Sequence, residues 1–124
     1  MSKKVLFIDD SVSMRQMTSL ILSGAGYEVV QATNGAEGLE KLASDIDLVI
    51  TDFNMPGMNG IEVIRSIREG EVARSVPILM LTTESEESKK QEGREAGATA
   101  WMTKPFDKEG LLATVKKITD SVDF

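Results

Sequence analysis

The 124-residue chain has no cysteine and no histidine. Without cysteine it has no disulfide framework and no thiolate metal site. Without histidine it has no imidazole base, no histidine triad and no imidazole metal ligand. Proline is scarce at 3 residues, and the aromatics amount to 4 Phe, 1 Tyr and 1 Trp. Unbroken apolar runs stop at about five residues, far short of the length that spans a bilayer. The run Val5-Leu6-Phe7-Ile8, behind the basic Lys3-Lys4, ends at Asp9-Asp10 and is too short for a signal peptide. Basic residues number 14 against 20 acidic ones, a net charge of −6, with no basic patch to attract nucleic acid. These absences predict a cytoplasmic protein without membrane segments or nucleic-acid contacts. They leave carboxylates, hydroxyls and lysines as the available chemistry.

What is present suits one globular domain: 41% hydrophobic and 27% charged residues. Short apolar runs at Val5 to Ile8, Leu48 to Ile50 and Ile78 to Leu81 read as strands buried on both faces. Tyr27 to Ala32 and Thr99 to Thr103 are weaker strand candidates. Helical spacing lies between them, in Met14, Met17, Thr18, Ile21 and Leu22, then Ala36, Leu39 and Leu42, then Ile61, Ile64 and Ile67. Leu111, Leu112, Val115, Ile118 and Val122 form the last stripe. Met14 and Met17 are expected in the core. Gly24, Gly26, Gly70 and Gly97 mark helix ends. The order is β-α five times, an α/β fold with helices on both faces of a parallel sheet. Residues Glu84 to Glu95 should form the fourth helix, yet they contain no large apolar residue and include Gly93. That helix is expected to bury almost nothing and to be short or to end early.

In parallel α/β sheets, ligands bind beyond the carboxyl ends of the strands. Here those ends carry Asp9-Asp10, Asp52, Thr82-Thr83 and Lys104-Pro105. If the first, third, fourth and fifth strands are neighbours, three carboxylates, one or two hydroxyls and an ammonium converge. Carboxylates so close repel unless a cation neutralises them. Oxygen ligands suit a hard divalent ion, Mg²⁺ better than an enclosed Ca²⁺. Lys104 can hold a phosphate oxygen and Thr82 can donate to another. A carboxylate in that setting is a plausible nucleophile toward phosphorus.

The residues Asp9-Asp10, Asp52-Phe53-Asn54-Met55-Pro56-Gly57-Met58-Asn59-Gly60, Thr82 and Lys104-Pro105-Phe106 resemble the receiver domain of two-component response regulators. The resemblance covers the whole chain and is strongest to the single-domain chemotaxis regulators of the CheY family. It implies a flavodoxin-like (βα)5 doubly wound sheet, strand order 2-1-3-4-5, and a single receiver domain over 1–124 with no output domain. It implies that Asp52 is the phosphoacceptor. Asp10 and Asp52 would ligate Mg²⁺ directly together with the backbone carbonyl of Asn54, and Asp9 would act through a metal-bound water. Lys104 would bridge to the phosphoryl oxygens. Thr82 and Trp101 would form the switch, and Asn54 and Glu84 would tune loss of the phosphoryl group to water. The Lys104-Pro105 bond is often cis in the family. The implied partners are a CheA-like histidine kinase upstream, a flagellar motor switch protein or other downstream protein, and a phosphatase. A monomer is expected, acting as a signalling switch and not as an enzyme on other substrates. Trp101 stands where the chemotaxis regulators usually have tyrosine and lacks the hydroxyl.

Each element also has a plainer reading. Asp9-Asp10 could cap a helix, Asp52 to Pro56 could be only a turn, Thr82 a strand residue and Lys104 a solvated lysine. Other functions share the site. A phosphorelay intermediate or phosphate sink would use it without a motor contact. An aspartyl-nucleophile phosphatase of the haloacid dehalogenase type would need an acid/base aspartate where Asn54 stands. A flavodoxin would need a phosphate nest where Asp10 to Ser13 offer a carboxylate.

Overall fold

Among the described residues, five strands alternate with five helices. The strands are β1 (Lys4–Ile8), β2 (Glu28–Ala32), β3 (Leu48–Asp52), β4 (Ile78–Thr82) and β5 (Ala100–Thr103). The helices are α1 (Val12–Gly24), α2 (Gly35–Lys41), α3 (Gly60–Glu69), α4 (Glu87–Ala96) and α5 (Lys108–Asp120). The structure is a computed structural model that describes residues 2–83 and 87–120. All five strands run parallel in the order β2-β1-β3-β4-β5, the flavodoxin-like arrangement implied by the sequence.

The side chains of a strand alternate between its two faces, which explains why the strand runs are apolar throughout. Val5, Phe7, Leu48, Ile50, Leu79 and Leu81 meet α1 and α5 through Leu22, Leu111, Val115 and Ile118. Leu6, Ile8, Val49, Ile78 and Met80 meet the other helix layer through Ile61, Ile64, Ile67 and Ala96. Burying each such Leu or Ile fully is worth about 2 kcal/mol, so the sheet is a firm base for whatever its upper edge carries.

Three helical expectations need correction. Met17 is 45% exposed, and Thr18 and Leu22 take the buried positions of α1 while Met14 is half-buried. In α2, Ala36 is exposed, and the buried residues are Gly35 and Gly38. A side chain at Gly38 would run into Ile8 of β1. The fourth helix does bury a face, but a face of small residues. Gly93 and Ala96 are buried, and a Cβ on Gly93 would come 2.8 Å from Cε of Met80. Gly93 is therefore a point of close approach to β4, not a breaker. Val122 lies outside the described residues.

Helix starts are set by local capping. Ser11 accepts from the Met14 amide at 3.3 Å, and Asp107 accepts from the Gly110 amide at 2.6 Å. Asn59 and Glu62 form a reciprocal capping box at α3. Gly26 and Gly97 have φ of +97° and +115°, and each follows a helix end. Among the described residues, no helix is long and apolar enough to cross a membrane.

Candidate functional site

The pairing register brings four strand ends to one edge. Ile8 pairs with Thr51, Asp52 with Leu81, and Thr82 with Thr103. Asp9 therefore emerges beside Asp52, and Lys104 emerges beyond Thr82. The Lys104 amide donates to the Thr82 carbonyl at 2.8 Å, which extends the ladder by one bond. The Lys104-Pro105 peptide is cis.

Asp9 is fully buried and Asp10 is exposed. The plainer reading of this pair as a helix cap is not what the chain adopts, because Ser11 caps α1. The Asp9 amide donates to the Ala32 carbonyl at 3.1 Å. Its Oδ1 accepts from the Ser11 amide at 2.9 Å, and its carbonyl accepts from Nη1 of Arg15 at 2.8 Å. The loop is thus held from three sides, and Oδ2 faces the ammonium of Lys104 at 3.3 Å.

Asp52 ends β3 and is 5% exposed. Its Oδ1 lies 3.1 Å from Nζ of Lys104. Burial pushes the Asp52 carboxyl above its ordinary pKa, the ammonium of Lys104 opposes this, and the charges of Asp9 and Asp10 add to the rise. Carboxylate oxygens of Asp9, Asp10 and Asp52 lie within 4.8 Å of one another. One lysine balances one of three such charges, so this donor set fits a hard divalent cation with oxygen ligands and remaining waters.

The segment after Asp52 is shaped by its glycines. Gly57 has φ of +78°, a conformation that costs glycine little. At Gly60 a Cβ would sit 2.7 Å from the Asp52 carbonyl oxygen and 2.9 Å from Cα of Phe53. Only a bare Cα lets α3 start this close to the backbone of Asp52 and Phe53. Asn54 is exposed, and its Nδ2 donates to Oγ1 of Thr83 at 3.1 Å. Thr82 is fully buried at the end of β4. Trp101 is half-buried on β5, with Nζ of Lys90 5.9 Å and the guanidinium of Arg94 5.0 Å from its ring centroid. Glu84 lies outside the described residues.

The residues singled out from sequence thus gather as expected: Asp9, Asp10, Asp52 and Lys104 in one cluster, with Thr82 ending the strand between Asp52 and Lys104. The response regulator receiver domain family matches residues 5–116. The chain belongs to that family. As a receiver domain it is 36% identical over 117 residues to the phosphate regulon transcriptional regulatory protein PhoB of Pseudomonas aeruginosa, covering 94% of this chain and 51% of that protein. It is 35% identical over 123 residues to the chemotaxis protein CheY1 of Helicobacter pylori (strain 26695), covering 97% of this chain and 99% of that one. The structure of the chemotaxis protein CheY4 of Vibrio cholerae superposes with a TM-score of 0.91 at 47% identity, covering 95% of this chain and 99% of that one. The receiver domain spans about half the length of the transcriptional regulators it matches and nearly the whole of the chemotaxis proteins. Its fold is of the CheY type.

Four residues of the receiver domain were not given a role from sequence. Thr83 shares the strand end with Thr82 in the sequence, and what separates them is that Thr82 is buried while Thr83 is exposed and holds Asn54. Arg15 reaches back six residues to the Asp9 carbonyl, a bond that periodicity does not reveal. Lys90 and Arg94 are spaced i, i+4, which predicts that they share a helix face. Nothing in that spacing says the face covers Trp101.

Proposed function

We propose that this receiver domain is a phosphorylation switch whose acceptor is Asp52. The observation that supports it best is the placement of Lys104 Nζ within 3.3 Å of both Asp9 and Asp52, next to a third carboxylate. Such a site suits phosphoryl transfer better than hydrolysis of many substrates, because Asn54 offers an amide where an acid/base carboxylate would be needed. An Asp52 oxygen attacks the phosphorus of a histidine kinase's phosphoimidazole. The P–N bond breaks, its electrons go to the departing nitrogen of a ring whose other nitrogen already carries a proton, so neutral imidazole leaves and an acyl phosphate remains. Asp9, Asp10, Asp52 and the Asn54 backbone carbonyl would hold Mg²⁺, whose chemistry there would be to neutralise charge on the transferred group. Lys104 pairs with one phosphoryl oxygen and Thr82 donates to another. Water later attacks the phosphorus and releases inorganic phosphate. Asn54 and Glu84 tune that step.

Phosphorylation adds negative charge and strong acceptors at a site where Lys104 is already shared between two carboxylates. Re-pairing of Thr82 and Lys104 shifts Trp101 and repacks the face of α4, β5 and α5, which then binds a protein partner. Near-complete coverage of the chemotaxis relatives favours a cytoplasmic switch of the chemotaxis kind. It would be fed by a CheA-like kinase and read by a flagellar motor switch protein. The second reading is a phosphorelay intermediate or phosphate sink, which uses the same site but passes on or discards the phosphoryl group without a motor contact. The experiment is a binding assay with purified motor switch protein and with a histidine phosphotransfer domain, each with and without a phosphoryl mimic at Asp52. Mimic-dependent binding of the switch protein supports the chemotaxis reading. Transfer from phosphorylated Asp52 to the phosphotransfer domain, without switch binding, overturns it.

A further inference from the structure

The hydrogen bond from Asn54 Nδ2 to Thr83 Oγ1, at 3.1 Å, joins two loops that are 29 residues apart in sequence. One follows Asp52 at the end of β3 and the other follows Thr82 at the end of β4. Both partners are exposed. In water a neutral bond of this kind adds only about 1 kcal/mol to stability, so holding the fold together does not account for it. What it does fix is the direction of a side chain. Asn54 is an amide on a loop, two residues from the carboxylate, and among the described residues Thr83 is the partner that holds its head group in place.

We infer that Thr83 is a positioning residue. Its hydroxyl anchors the Asn54 amide at the rim of the acidic pocket and thereby sets the lifetime of the acyl phosphate at Asp52. This deepens the proposed phosphorylation of Asp52 and rests on it. The chemistry follows from the amide's limits. An amide neither takes nor gives a proton, so it can only orient a water, and an orienting group acts through being held still. Tied through its nitrogen to Thr83, the Asn54 amide has one preferred placement and its oxygen remains available to accept from water. Untied, it samples several rotamers and presents the water acceptor for a fraction of the time. Thr83 itself contacts neither the carboxylate nor the phosphoryl group in this scheme. Its effect passes through Asn54.

The test compares wild type with Thr83→Val, Thr83→Ala and Thr83→Ser. Asn54→Ala and the double variant Asn54→Ala/Thr83→Val complete a mutant cycle. Each is labelled with acetyl phosphate and Mg²⁺, and the loss of the phosphoryl group is timed. Valine keeps the shape of threonine without its hydroxyl. We expect Thr83→Val and Thr83→Ala to lose phosphate about threefold more slowly, Thr83→Ser to match wild type, and Thr83→Val to add nothing once Asn54 is alanine. The Nδ2 proton resonances of Asn54 in the unphosphorylated protein should also collapse toward free-amide positions in Thr83→Val and Thr83→Ala but not in Thr83→Ser. A Thr83→Val lifetime equal to wild type overturns the inference, as does an equal effect of Thr83→Val in the Asn54→Ala background. Wild type that takes no label at Asp52 removes the phosphorylation reading itself and this inference with it. Labelled wild type with indifferent Thr83 variants removes the inference alone.

Discussion

Nζ of Lys104 lies 3.1 Å from Oδ1 of Asp52 although their strands are not neighbours, for β4 runs between β3 and β5. The lysine reaches across the end of Thr82 to do so and meets Asp9 at 3.3 Å on the far side. An ammonium that is 13% exposed, between two buried carboxylates, is both a structural counter-ion and the nearest cation to any group placed on Asp52.

Removing that ammonium leaves two buried carboxylates uncompensated. Lys104→Ala is expected to lower stability by about 3 kcal/mol, the low end of the range for breaking a buried pair. Mg²⁺ should restore most of the loss, since an ion held by the native cluster and not by the unfolded chain stabilises the fold. Urea denaturation of both proteins with and without Mg²⁺ checks this. A deficit that Mg²⁺ leaves unchanged would separate the lysine from the acidic cluster.

The raised pKa of Asp52 sets the sign of a pH effect. Burial penalises the ionised form in the fold more than in the unfolded chain. The carboxyl's contribution is then most favourable in acid, below the unfolded value, and becomes unfavourable as pH rises through the folded value. Asp52→Asn should therefore be more stable than wild type at neutral pH, with a higher Tm. The difference should vanish in acid, below about pH 4, where the ordinary carboxyl is protonated. Thermal melts across pH, in chelator, measure it. A neutral-pH variant less stable than wild type would mean that the Lys104 contact outweighs burial.

Gly60 offers a steric test. A methyl there meets backbone, the Asp52 carbonyl at 2.7 Å and Phe53 Cα at 2.9 Å, and backbone cannot swing aside as a side-chain tip can. Gly60→Ala is expected to cost about 2 kcal/mol and to weaken Mg²⁺ binding by moving Asp52. Gly93→Ala, which meets only the flexible end of Met80, should cost less and leave Mg²⁺ affinity unchanged. Calorimetric titration of Mg²⁺ into both variants distinguishes them.

Trp101 is the sole tryptophan, and two cations of α4 lie near its ring. Exposed cation–π contacts are worth about 0.5–1 kcal/mol each. Arg94→Ala should change the Trp101 emission of the unphosphorylated protein and reduce the further change on phosphorylation. Identical spectra before and after full labelling would take Trp101 out of the switch.

Much of this was legible in the sequence because strand ends are short and their polar residues break apolar runs. Asp9-Asp10, Asp52 and Thr82 each end a buried run and Lys104 follows the half-buried β5, so a parallel sheet must bring them to one edge. The strand order came from resemblance to a family, since spacing alone does not rank neighbours. The helices were read less well, because apolar spacing finds large side chains and overlooks glycine. Gly38 and Gly93 are contact points through what they lack, and Met17 has the right spacing but faces outward. Thr83 and Arg15 act through single hydrogen bonds between distant loops or turns, which no local pattern encodes.

The central claim is that Asp52 accepts a phosphoryl group in a pocket that needs a divalent ion. Incubation with acetyl phosphate, followed by intact-mass analysis and peptide mapping, tests it most directly in four arms: wild type with Mg²⁺, wild type with chelator, Asp52→Asn and Lys104→Ala. The account predicts a gain of one phosphoryl group, mapped to Asp52, in the first arm, none in the second and third, and sharply reduced labelling in the fourth. Equal labelling of Asp52→Asn, or labelling of wild type that ignores the chelator, would contradict it.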